Sequence, residues 1–361
     1  MNADEIIAKI KQDGRLTGGD FTGADLSRQN LAGVILEGVQ LSKANLEGVK
    51  LVGSTLIRVN LAGARLAGAD LTGCRLDNVD LAGAQMGRAI LTNAVMQEVS
   101  LIGTDLAGAA LGNVFADQCD FHSAKCAGAV FRDASLRECK LSALDVTDAD
   151  LSRLLAPGSD FTGVIFNKTD LTKAFLVGSN FEKQHFPGCT LLLTKFDQGH
   201  LQGADLSGMD LTQTSFTGAD LSAAKFIKSR GEYTNFSEIT APAADFSGCD
   251  FLMINFSKAR LTKAVFRGAR IEQSLFGNSH LEQCDFRQSK AAYTDFSRAV
   301  VTGADFSQAR LNRANFHGVR MKEALWDEAD TETIYKTDPD LWAAESWALP
   351  ERRKKRRVDN A

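Results

Sequence analysis

The stretch NLAGARLAGADLTGCRL, residues 60–76, places Leu61, Leu66, Leu71 and Leu76 five apart, with Gly63, Gly68 and Gly73 two residues after three of them. A period of five matches neither the 3.6 of an amphipathic helix nor the 2 of a plain strand. The same rule runs outward in both directions. From Leu16 to Trp326 there are 63 such positions, and 57 hold Leu, Phe, Ile, Val, Met or Trp, with no insertion or deletion. Ala116, Cys126, Ala156, Gly231, Ala241 and Ala291 are the exceptions.

Two residues before each of these centres sits a second restricted position, usually Ala, Ser, Thr, Val or Cys, as at Ala24, Ala44, Ala64, Ala69 and Ala84. The residue between the two is mostly polar, often Asp or Asn. Of 31 glycines, 24 fall two places after a centre, which suits a corner that requires positive φ. A chain that buries the small residue and the centre of each block, then turns, winds as a coil of short strands.

The blocks ADLTG (69–73), ANLEG (44–48) and ADFSG (244–248) resemble the pentapeptide-repeat family, whose pattern is A(D/N)LXX. The resemblance covers residues 16–326, about 86% of the chain. It implies an all-β fold, a right-handed quadrilateral parallel β-helix with four blocks per coil and the centres stacked inside. At about 4.8 Å per coil, residues 16–326 form a rod of roughly 75 Å. The expected organisation is a capping helix over residues 1–15, about 15–16 coils over 16–330, a helical cap over 331–350 and a basic tail over 351–361.

Composition agrees. With 44% hydrophobic residues, a mean hydropathy of −0.13 and a net charge of −4, the chain reads as soluble and globular. An unbroken repeat favours one solenoid stabilised between neighbouring coils over two or three domains. No apolar run reaches the length of a membrane span. The start, MNADEIIAKIKQDG, lacks the features of a signal peptide and reads as a helix using Ile6, Ile7 and Ile10 to cover the first coil. The expected location is the cytoplasm, with secretion by a route independent of a signal peptide as the alternative.

The cysteines point to neither metal nor disulfides. Cys74, Cys119, Cys139, Cys189, Cys249 and Cys284 hold the small inward position and Cys126 a centre. Buried Cys behaves as a small hydrophobe, and this usage implies a reducing compartment. His185, His200 and His280 hold outward positions, and His200 and His280 lie four coils apart, roughly 19 Å. There is no Ser/His/Asp arrangement, phosphate-binding loop or EF-hand spacing. Outward Asp205, Asp245 and Asp285 read as solvated repeat residues rather than a carboxylate pair. We expect no enzyme, no catalytic residue, no metal and no cofactor.

The core changes character along the rod. Leu dominates the first third. From Leu261 on, Phe266, Phe286 and Phe306 share one side and Phe276, Phe296 and Phe316 the opposite side, which predicts two internal aromatic ladders. Two small centres, Gly231 and Ala291, are each followed two residues later by Tyr233 and Tyr293, which share a side and form a second candidate patch or a local corner variant.

Function must lie on the outward positions. Twenty of 22 Phe residues are centres; Phe115 and Phe175 are not. Both precede centres of the side that runs Leu16, Leu36, Leu56 and onward to Phe316. The same outward row carries Ile35, Val95, Leu155 and Leu275. Nineteen Asp residues hold the outward position along the rod, yet only Asp295 falls in this row. Acid depletion with exposed apolar residues marks an interaction patch. Phe115 precedes Ala116 and Leu155 precedes Ala156, however, so a bulge that turns the larger residue inward is an alternative, and Leu154 is large enough to compensate for Ala156.

All three Trp residues lie near the C-terminal end. The segment DPDLWAAESWALPE reads as a helix begun near Asp338 and stopped by Pro350, presenting Leu341, Trp342 and Trp347 either to cap the last coil or to form a homodimer. The tail ERRKKRRVDNA carries six basic and two acidic residues, a nuclear-import signal, a polyanion-binding arm or a solubility tail; nucleic acid enters only through it.

Known members of the family mimic duplex DNA and bind DNA gyrase. Without the tail the chain holds 35 basic and 43 acidic residues, a net charge of −8, too weak for that mimicry. The expectation is therefore a non-catalytic bacterial scaffold or adaptor that binds another protein along one flank. A gyrase or topoisomerase modulator, and a secretion-system accessory or secreted effector, are the alternatives.

Overall fold

The computed structural model describes residues 7, 8 and 12–345. The chain forms a parallel β-solenoid in which each residue pairs with the one twenty positions on, from Arg15↔Ile35 to Asn315↔Tyr335. Twenty residues are four blocks, so the rod has four sides. We number them by their centres: side 1 holds Leu16, Leu36 and onward, side 2 Phe21 and Leu41, side 3 Leu26 and Leu46, side 4 Leu31 and Leu51.

Side 1 carries the longest continuous pairing. Seven three-residue strands, β1 (Arg15–Thr17) to β7 (Ser135–Arg137), lie side by side in a parallel sheet. Two more, β8 (Arg230–Glu232) and β9 (Asp250–Leu252), pair on side 4. Elsewhere the blocks close with tight turns, in which the inward small residue donates its N–H to the preceding centre, as Ala44 N to Leu41 O at 3.1 Å. The corner residue two places after the centre has positive φ throughout, and 39 of the residues held there are not glycine. The geometry of the coil imposes this conformation; the glycines relieve it.

The centres fill the interior. Along sides 1 and 3 the rings stack at about coil spacing, with Phe246–Phe266 and Phe286–Phe306 both at 4.8 Å, and across the interior they meet edge-to-face, as Phe256–Phe266 at 5.6 Å. These are the two ladders expected from the sequence, and they begin earlier, at Phe196 on side 1 and Phe226 on side 3. Trp326 ends the side 3 ladder, stacked on Phe306 at 4.7 Å.

The small centres have a packing cause that the repeat alone does not reveal. Ala116 and Cys126 face each other across a coil whose other two centres are Phe121 and Phe131, in edge-to-face contact at 6.3 Å. Gly231 lies between Phe226 and Phe236, whose centroids are 5.4 Å apart. A Cβ on Gly231 would stand 2.5 Å from Thr234 Oγ1 and 3.2 Å from the Leu211 backbone. Large and small centres compensate within one coil, keeping the interior close-packed.

Polar inward residues tie coil to coil. Thr104 Oγ1 donates to Leu81 O at 2.8 Å, Thr214 Oγ1 to Leu191 O at 2.7 Å, and Cys74 Sγ to Leu51 O at 2.8 Å. Cysteine thus takes the part of threonine. All seven thiols are free and buried, and burial pushes the thiols of Cys74 and Cys249 up to about 11 and about 12.

At the ends, Ile7 is half-buried against the core; Ile6 and Ile10 lie outside the described residues. Helix α1, Pro339–Glu345, begins where Asp338 Oδ1 accepts the N–H groups of Asp340 and Leu341 at 2.9 and 3.1 Å. None of its residues is buried. It leans on the side 1 flank: Glu345 pairs with Arg298 and, at 3.1 Å, with His317 Nε2, while the Trp342 ring lies over Gly318. His317 Nδ1 accepts the Asp338 N–H at 3.2 Å. Leu341 and Trp342 are exposed. Trp347 and the basic tail lie outside the described residues.

Candidate interaction surface

The outward residue of each block stands between two buried neighbours, so its side chain faces solvent. On sides 2 to 4 it has a local task. Asp or Asn there accepts the N–H of the residue two places on, as in Thr72 N to Asp70 Oδ1 at 3.0 Å and Ala82 N to Asp80 Oδ1 at 2.9 Å. In the first seven coils of side 1 the strand extends through that position and the corner stays open, with no such turn to close. Part of the missing acid on this side therefore has a backbone cause. It explains why Asp is not required there; it does not explain Phe.

Phe115 points outward. It is 41% exposed while Ala116 is fully buried. Its N–H bonds Ala94 O at 3.0 Å and the pairing Val95↔Phe115↔Ser135 keeps register, so no bulge is present. Leu155 is 48% exposed beside buried Ala156. The inward-turning alternative is overturned for both residues, because Phe121 and Phe131 already occupy the volume beside Ala116, and buried Leu154 and Phe161 flank Ala156.

The register joins Val95, Phe115, Ser135, Leu155 and Phe175 on successive rungs. Val95 and Phe175 are 43% and 38% exposed, and the row from one to the other is roughly 19 Å long at about 4.8 Å per coil. Ile35 and Leu275 are exposed in the same row but separated from it, Ile35 by Thr55 and Arg75, Leu275 by Lys195, Ser215, Asn235 and Asn255. The row widens around the corner: Ile90 and Val130 on side 4 are also exposed, with Ala110 between them. The same register count applied to side 4 finds these two residues, which an inspection confined to Phe and to side 1 misses.

Tyr233 and Tyr293 are each 55% exposed at the corner between sides 4 and 1, and the Arg313 guanidinium lies 5.7 Å from the Tyr293 ring centre.

Some charges elsewhere pair along the rod. Arg132 meets Asp150 at 2.7 Å, Arg230 meets Asp210 at 3.0 Å and Arg270 meets Asp250 at 3.1 Å. His185 is 3.8 Å from Asp205 and His280 3.1 Å from Glu282. Among the described residues no three His, Cys, Asp or Glu side chains are grouped to hold a metal, and no helix is long and apolar enough to cross a membrane.

Comparison with known families matches the profile for pentapeptide repeats over seven segments between residues 15 and 230, and a pentapeptide repeat region over residues 242–316. A search of curated protein sequences returns no match. Among solved structures, the chain is similar to HetL, a pentapeptide repeat protein involved in heterocyst differentiation regulation from the cyanobacterium Nostoc sp. strain PCC 7120, at 17% identity over 94% of this chain and 98% of that one, TM-score 0.19. It is also similar to QnrB1, a plasmid-mediated fluoroquinolone resistance protein, at 18% identity over 58% and 83%, TM-score 0.23. A third is a pentapeptide repeat protein of the Arabidopsis thaliana thylakoid lumen, at 23% identity over 38% and 68%, TM-score 0.16.

Proposed function

The chain belongs to the pentapeptide-repeat family, and from that premise we propose that it is a non-catalytic scaffold or adaptor that holds another protein along the side 1 flank. The observation that carries this reading is the row Val95, Phe115, Leu155 and Phe175, outward on a regular backbone and continued around the corner by Ile90 and Val130. Exposing large apolar side chains on four of five successive rungs, with only Ser135 between them, costs solubility and gives the fold nothing that Thr or Lys would not; an apolar patch of this kind marks a partner site. A rigid solenoid suits the role, because contacts between adjacent coils hold the row in register.

Duplex mimicry is disfavoured by charge. The net charge without the tail is only −8, and Arg132, Arg230 and Arg270 neutralise three of the carboxylates that a mimic of phosphates would leave free. We place the protein in a reducing compartment, consistent with seven buried free thiols.

The test compares capture from native lysate by the intact chain, by Phe115→Asp with Phe175→Asp, and by Lys140→Glu on side 2. The proposal expects one partner lost with the double variant alone, at unchanged circular dichroism. Retention of every partner removes the row as a site, and inhibition of gyrase supercoiling at low protein concentration would favour the topoisomerase reading.

A further inference from the structure

Corner residues with positive φ are where large side chains are least welcome, since a Cβ in the left-handed region crowds the following carbonyl. Among the 39 non-glycine residues held there, the large apolar ones are Leu193, Tyr233, Met253 and Tyr293. All four lie on one corner, that between sides 4 and 1, and all are exposed. The other three corners carry none among the described residues. Strained placements kept at one edge point to a use for that edge.

This ridge takes over where the apolar row stops. Val95, Phe115, Leu155 and Phe175 occupy the outward position beside the corner; Leu193, one coil later, stands on the corner itself, two residues away in the block. Tyr233, Met253 and Tyr293 follow, with exposed Leu275 back in the first row between the last two. From Phe115 to Tyr293 the register counts nine coils, roughly 43 Å at about 4.8 Å per coil. The coils stack without insertion, so the register is unbroken from end to end, with polar rungs at Ser135 and at Gln213 and Ser215.

The flank offers no sheet edge. Phe115, Ser135, Leu155 and Phe175 each donate their N–H to the preceding coil, at 2.8 to 3.0 Å, so an added strand would find no free ladder there and contact must run through side chains. A mostly apolar line of this length, one or two residues wide and interrupted by polar rungs, matches the stripe of an amphipathic helix. The seam is also basic along its length: Lys173 beside Phe175, Lys195 beside Leu193, and Lys290, Arg310 and Arg313 around Tyr293 carry no ion pair among the described residues, whereas Arg230 and Arg270 are paired with Asp210 and Asp250.

We propose that the row and the ridge form one docking seam whose occupant is a single amphipathic α-helix of a partner protein, with acidic residues beside its apolar stripe to meet Lys173, Lys195, Lys290, Arg310 and Arg313. Such a helix advances 1.5 Å per residue, so about 29 of its residues span Phe115 to Tyr293. Tyr and Met are residue types enriched in interface cores, and Arg supplies both charge and a planar face. This inference rests on the reading that the flank binds a protein.

The experiment places the photo-crosslinker p-benzoyl-phenylalanine singly at Phe115, Tyr233, Tyr293 and, as a control on side 3, Ile165 of the full chain in its native cells, and maps each adduct by mass spectrometry. The seam predicts one adduct protein from the first three positions and none from Ile165. Its attachment sites should fall on one helix, with those from Phe115 and Tyr293 about 29 residues apart and that from Tyr233 between them. A spacing near 13 residues, the figure for an extended chain at about 3.3 Å per residue, would overturn the helix. Different proteins at the two ends, or adducts to a second copy of this chain, would overturn the single seam. If Phe115 yields a partner and Tyr293 does not, the seam fails while the proposed function stands; if Phe115 yields none, both fall.

Discussion

Two phenylalanines six residues apart should respond to the same substitution in different ways. Phe121 is fully buried and meets Phe131 edge-to-face at 6.3 Å; Phe115 is 41% exposed. Truncating Phe121 to Ala removes the transfer energy of the ring and leaves a cavity in an interior that cannot collapse, about 3–5 kcal/mol, and it deletes an aromatic pair worth about 0.5–1.5 kcal/mol within that cost. Phe115→Ala gives up only the covered three-fifths of a side chain whose complete burial contributes about 1.5–3 kcal/mol, so about 1–2 kcal/mol at most, and the vacated space opens to water without a cavity term. Urea denaturation of both variants, with amide hydrogen exchange to localise the loss to coils 96–155, measures the difference. Equal costs would mean that the Phe115 ring packs inside beside Ala116, and the reasoning from exposure to interaction would fail with it.

Further outcomes can be checked on the same protein. Tyr233→Gly removes a large side chain from a φ of 56° and should raise stability by about 1 kcal/mol, read as a higher thermal midpoint, because a left-handed residue costs about 1–2 kcal/mol and glycine returns part of that in chain entropy; a lower midpoint would show that Tyr233 serves the fold. The raised thiols of Cys74 and Cys249 mean that the folded state keeps protons the unfolded chain releases near 9.0. Their contribution is present below that pH and is lost as pH rises toward about 11 and 12, so urea midpoints should fall above pH 9, less so in Cys74→Ser. Arg298, ahead of the opposing effect of burial and the further help of His317, holds the Glu345 carboxyl below its usual range. Docking of α1 is therefore favoured above that range and is lost as pH falls through the lowered value, which tryptophan fluorescence should report as a transition absent from Glu345→Gln.

Much of this was legible because the repeat tolerates no slippage. With one residue identity every five, Leu61 to Leu76 fix which side chains enter the core, and Phe266 to Phe316 reveal their stacking before any coordinate is seen. The outward row is readable by the same count, down to the single Asp295. What could not be read is compensation within a coil. Ala116 looks like a defect until Phe121 and Phe131 are seen to share its space, and whether Phe115 repairs that defect or faces water depends on volumes that a linear pattern does not carry. The open corner of side 1 was hidden for a related reason: its strands and the closed turns of the other sides use the same five-residue block. The C-terminal helix shows a third limit, since its start at Asp338 follows from capping chemistry while its place against Arg298 and His317 is tertiary.

The account stands or falls on whether a partner covers the side 1 row. Hydroxyl-radical footprinting of the chain, alone and after incubation with native lysate and recovery of its complex, reads this directly. We expect Val95, Phe115, Leu155 and Phe175 to lose several-fold in oxidation rate while Ile165, exposed on the opposite side, keeps its own. Unchanged rates along the row, or protection centred on Ile165, would contradict the central claim.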